Sequence, residues 1–158
     1  MLWRSLAAGV IATLSMDLLS VVAARLQLTA PLPPQLIGRW FAGVARGTVL
    51  HTDIARTPPV SNEMGIAFPV HYAIGIVLTV VYIWTVSYAG RSPRNVTLAV
   101  AFALSTSVLP WLLMFPAMGY GFFGWNGPPG TRLFFSSLVN HALFGIGIWL
   151  GVMAAGVR

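Results

Sequence analysis

The sequence predicts an all-α integral membrane protein, a four-helix bundle with a short interfacial helix in its first long loop. Three observations predict it. Apolar residues make up 57% of the chain and charged residues only 8%, whereas soluble domains carry about 25% charged residues. Four stretches, at about 5–26, 64–89, 96–116 and 133–156, meet the requirement of about 20 mainly apolar residues for a membrane span. The segments between them are too short to form a soluble appendage, so residues 1–158 read as a single transmembrane domain. In hydrocarbon every backbone N–H and C=O must be paired within its own segment, so the spans must be helices.

The first span opens with Arg4 and "SLAAGVIATLSM", and Val22-Ala23-Ala24 would suit a signal-peptide cleavage site. Asp17 lies inside the apolar run, where an acid is costly, and the segment reads as a retained span. Pro31, Pro33 and Pro34 end it. In "QLIGRWFAGVARG", Leu36, Ile37, Trp40, Phe41 and Val44 share a helical face, while Gln35, Arg39 and Arg46 lie elsewhere. That pattern predicts a helix over about 35–46 lying in the membrane interface. Residues 47–63 form a polar loop with Pro58-Pro59, Ser61 as the expected N-cap of the second span and Glu63 in its first turn, where the helix dipole favours a carboxylate.

The second link, "AGRSPRN", is tight and basic, and Asn95-Val96-Thr97 reads as an accidental glycosylation sequon there. The third, "PAMGYGFFGWNGPPGTR", is rich in glycine and aromatics, with a turn at Asn126-Gly127 and a stop at Pro128-Pro129. Residues 117–130 should therefore lack long regular structure. Its "GPPGT" is followed by Arg132-Leu133 instead of Gly-Lys-Ser/Thr, which excludes a nucleotide-binding loop.

The chain has no cysteine, so disulfides and thiolate chemistry are excluded. All nine basic residues are arginine, giving a net charge of +6. Arg4, Arg25, Arg91, Arg94, Arg132 and Arg158 flank spans, which points to anionic lipid headgroups as partners and not to nucleic acid. Arg91 and Arg94 crowd the shortest link, and that density puts both termini on the cytoplasmic side. A homo-oligomer is compatible with these features.

Counting inward from the side of the first and third links, Asp17 lies about nine residues deep, or ~13 Å. His71, His141 and Pro110 lie at similar depth in the other three spans. Small or polar stripes run through the same positions: Gly9, Thr13, Asp17, Ser20 and Ala24; His71, Gly75 and Thr79; Ser137, His141 and Gly145. Small residues belong at helix contacts in membranes, and ionisable groups there face the bundle and seek partners. Asp17, His71 and His141 are therefore expected to meet in one cavity, with Asn140 orienting His141. His51, Asp53, Glu63 and Arg39 are expected to form a vestibule leading from solvent to His71. "HYAIGIVL" from residue 71 and "HALFGIGI" from residue 141 share His, Gly and Ile at equal offsets, a weak repeat of two helical hairpins.

The ordered set "MD" (16–17), "GRW" (38–40), "HTDI" (51–54), "HYAIG" (71–75), "PAMGYG" (116–121) and "SLVNHALFG" (137–145) resembles the bacterial inner-membrane family of domain of unknown function 2938. The resemblance covers nearly the whole chain. It implies a four-span protein of the inner (plasma) membrane and carries no catalytic assignment across.

Three functional readings stand at this point. In the first, the Asp17/His71/His141 layer binds a cation, with a divalent transition metal as the cofactor those donors would suit, or relays protons through its histidines. The second is a structural or interaction protein whose buried polar groups only lock the bundle. The third is a membrane enzyme acting on a lipid or quinone, with His51 and Asp53 as base and orienter. No nucleophile motif or reaction signature marks an enzyme.

Overall fold

The computed structural model describes residues 2–30, 32–128 and 130–158. Pro31 and Pro129, read above as breaks, lie outside the described residues. Four helical segments are long and apolar enough to cross a membrane: α1 (Leu2–Arg25), α3 (Glu63–Tyr88), the third span (Val96–Ala117) and α6 (Thr131–Ala154). The short α2 (Pro34–Ala45) fills the first loop, and no strand occurs among the described residues. Among the described residues from 118 to 130, regular structure is confined to one short turn of 3₁₀ helix, Phe122–Gly124.

Small residues decide which helices touch. α1 lies between α3 and α6, α6 packs in turn on α4 (Val96–Ser105), and α3 and α4 barely meet. Lipid tails are as apolar as leucine, so helix association in a membrane rests on close packing. On α6, Gly147 and Gly151 sit against the carbonyls of Ala12 and Ala8, where a Cβ would collide. Gly75 of α3 receives the Thr13 hydroxyl. Gly145 of α6 lies against Val100, whose Cα would stand 2.5 Å from an added Cβ. Each glycine four residues after a histidine thus seats a neighbouring span, α1 on α3 and α4 on α6. The Gly147/Gly151 pair makes the contact between the two hairpins, and the stripes read from the sequence omit it.

The third span is irregular for a local reason. Pro110 has no N–H to return to the Thr106 carbonyl. That carbonyl instead accepts from the Leu109 N–H (3.0 Å) in a tightened turn. Beyond it the chain widens into a π-helix, Pro110–Met114, closed by the Phe115 N–H on the Pro110 carbonyl, and ends in α5 (Phe115–Ala117).

Both ends of the bundle are tied. At the termini, Arg4 donates to the Gly156 carbonyl (2.9 Å) and Arg94 to that of Val157 (2.9 Å). The buried Tyr82 hydroxyl donates to the short link at Pro93 (3.1 Å). At the opposite end the first loop pairs with the third link through His51 N–H to Ala117 O (2.8 Å) and Ile54 N–H to Met118 O (3.0 Å). Gly119, at φ +86°, lies so close to the Thr52 carbonyl that no side chain fits there. Ile54, Met118, Tyr120, Phe115 and Leu133 form a small core beneath this junction.

Two helix ends differ from the sequence reading. The N-cap of α3 is Asn62, in the left-handed region at φ 59°, and its side chain accepts from Gly65 N–H; Ser61 does not have this role. Asn95, the formal sequon, caps α4 by accepting from Leu98 N–H (3.1 Å).

Candidate functional site

Between α3, the third span and α6 lies a cavity of about 490 Å³, within the range of small-molecule sites. It exists because α3 and α4 stay apart while α1 and α6 pack backbone to backbone. Its apolar wall comes from Ile74 and Leu78 of α3, Leu109, Leu113 and Met114 around the π-helix, and Phe144 of α6. Ile37, Trp40 and Phe41 of α2 close it from the loop side. Its polar lining comprises Thr13, His71, Thr106, Ser136, Ser137, Asn140 and His141. Ile74, Leu109 and Leu113 are partly exposed as well as lining, so the cavity has a lateral mouth between α3 and the third span.

Asp17 and His71 meet: His71 Nε2 lies 2.9 Å from Asp17 Oδ1, each side chain one-third exposed. Asp17 itself does not line the cavity; it stands behind the imidazole. Tyr72 lies near enough to interact with the same carboxylate. His141 reaches the cavity but not the pair. Its Nδ1 donates to the Ser137 carbonyl of its own helix at 2.8 Å. Asn140 does not orient it, because the Asn140 Oδ1 accepts from Ser20 on α1 (3.1 Å). The three expected residues therefore share a depth without forming one cluster. Among the described residues no three His, Asp or Glu side chains gather to hold a metal ion, so the donor set does not fit the divalent metal expected from the sequence.

The expected vestibule is a separate construction. None of Arg39, His51, Asp53 and Glu63 lines the cavity. Arg39, read as part of the polar face of α2, is only 9% exposed. Its Nε donates to Glu63 at 2.6 Å and its Nη1 to the Ile54 and Thr57 carbonyls at 3.1 and 2.7 Å. Glu63 also accepts from Val60 N–H (3.0 Å). The pair buckles the first loop onto the start of α3, where Gly38 lets α2 approach the Glu63 backbone. Asp53 accepts from Ala55 N–H within its own turn (2.9 Å) and pairs with the exposed Arg56. His51 Nδ1 meets the Thr57 hydroxyl (3.2 Å). Burial, and secondarily the Asp53 carboxylate, push the nearby Tyr120 phenol above its ordinary range. Arg39 and Glu63 are spent on each other and on the loop backbone, which suits a clamp, while the buried His51 Nε2 has no hydrogen-bond partner among the described residues.

Sequence reasoning missed the cavity wall contributed by α2 and the π-helix. The only signal for the latter was Pro110, which announces a break without its geometry. No curated protein and no solved structure matches the chain. One family matches residues 6–155, in agreement with the motifs quoted above. With four apolar helices spanning that same stretch, the chain is a multi-pass membrane protein belonging to the family described as Protein of unknown function (DUF2938).

Proposed function

We propose that this protein binds a small amphiphilic molecule from the bilayer in its intramembrane cavity, apolar body against the leucine wall and polar end at the His71/His141 layer. The observation that carries this reading is the cavity: about 490 Å³, with a mainly apolar wall that also holds both histidines, and with partly exposed residues at its lateral mouth. A protein that used its buried polar groups only to lock helices would have no use for a space of that size, since membrane helices associate by close packing. The test is native mass spectrometry of protein extracted gently from membranes. A co-purifying lipophile is expected on the wild type and not on Ile74→Trp/Leu113→Trp, which plugs the mouth with side chains that start partly exposed. Absence of any adduct, or equal adducts on both proteins at equal helicity, overturns the reading.

A second reading is favoured by the 2.9 Å contact between His71 and Asp17. An imidazole backed by a carboxylate exchanges a proton readily, since the carboxylate stabilises the imidazolium that forms. This pair therefore supports proton exchange with whatever occupies the cavity. Asp17→Asn should leave occupancy intact while removing any pH dependence of it; an unchanged pH profile counts against proton handling.

The reading places the protein in the bacterial inner membrane, with both termini cytoplasmic and its arginines against anionic headgroups. The support is the crowding of Arg91 and Arg94 in the shortest link. A C-terminal alkaline phosphatase fusion should be inactive; an active fusion reverses the orientation.

A further inference from the structure

The hydrogen-bonding groups around the cavity say which kind of polar end it takes, and on the reading just proposed we infer that the occupant carries a hydroxyl group, as a prenyl alcohol or a prenylated phenol does, and not a carbonyl or an ether alone. His141 Nδ1 faces the Ser137 carbonyl at 2.8 Å. A carbonyl only accepts, so Nδ1 carries the hydrogen. No carboxylate pairs with His141 among the described residues, and an unpaired cation in an apolar wall is costly, so the ring is neutral. Its Nε2 is then a lone-pair acceptor, with no hydrogen-bond partner among the described residues.

Ser137 supplies the second observation. It lines the cavity and is 8% exposed, yet its hydroxyl has no hydrogen-bond partner among the described residues. Buried polar groups are nearly always paired, by protein, water or ligand. His71 adds a third group: with Nε2 held by Asp17, its Nδ1 is the nitrogen left for the cavity. Asn140, whose carbonyl oxygen accepts from Ser20, keeps its amide hydrogens as donors. A hydroxyl serves this set in both directions, donating to the His141 Nε2 acceptor and accepting from the Asn140 amide. An ether or an aldehyde has no hydrogen to give, and leaves the imidazole acceptor without a partner from the ligand.

The test compares three probes with one carbon skeleton: farnesol, its methyl ether and its aldehyde. Each is titrated against the full chain in lipid nanodiscs, with empty nanodiscs correcting for partition into lipid. Farnesol should bind about ten- to hundredfold more tightly than the ether and the aldehyde. His141→Phe should bring the three affinities together while retaining binding. Should that variant fail to fold, the wild-type ratios alone decide. Equal affinity for all three probes overturns the hydroxyl preference and leaves the cavity's function as a lipophile site standing. No saturable binding of any probe overturns both.

Discussion

Two acid–base pairs of this protein, Arg39–Glu63 and Asp17–His71, do opposite things in the structure. The first is closed on itself: the guanidinium meets one carboxylate and two loop carbonyls, and the carboxylate also accepts a backbone N–H. Nothing is left over. The second is half used, with Asp17 behind His71 and the rest of the ring facing a cavity. The difference teaches that partnership, more than depth or residue type, separates a clamp from a site.

The comparison breaks most readily at the clamp. Arg39→Ala strands a largely buried carboxylate and two loop carbonyls, and should cost roughly 3–5 kcal/mol, read as a fall in thermal unfolding temperature and early proteolysis in residues 47–62. Arg39→Lys should rescue little, because an ammonium cannot fork between Glu63 and the loop carbonyls. A stable Arg39→Ala protein would mean that the pair is incidental. Next comes the packing that leaves the cavity room: Gly151→Val drives a side chain into the Ala8 carbonyl and should cost about 1–3 kcal/mol. Asp17→Asn should be milder, since membrane hydrogen bonds average about 0.6 kcal/mol and the amide can still meet His71. Its effect should appear in the pH response of occupancy and not in the unfolding temperature. Asp53→Ala should be mildest, within about 0.5 kcal/mol, because its partner Arg56 is 89% exposed.

What the sequence told and what it withheld divide along physical lines. Span positions follow from hydropathy, since the bilayer imposes length and backbone pairing on every spanning segment. The meeting of Asp17 with His71 was legible from equal depth and from small-residue stripes on both helices. His141 shared that depth but not the contact, because its Nδ1 is held by its own Ser137 carbonyl, four residues back. Arg39 was misread because periodicity sorts apolar from polar and cannot foresee that a polar side chain will be buried by loop carbonyls. The Gly147/Gly151 contact was present in "GIGIWLG" as a small-residue repeat. The cavity was not legible at all. It depends on which helix pairs fail to touch, and on a π-helix that Pro110 permits but does not dictate.

The central claim is that the space between α3, the third span and α6 receives a lipophile from the bilayer. A photoreactive farnesol analogue, activated in nanodiscs and mapped by peptide mass spectrometry, tests it most directly. The account predicts labelling concentrated on Ile74, Leu78, Leu109 and Phe144 and suppressed by excess unlabelled farnesol. Labelling spread over lipid-facing residues such as Leu18, Val81 and Leu150, and unaffected by competition, would contradict it.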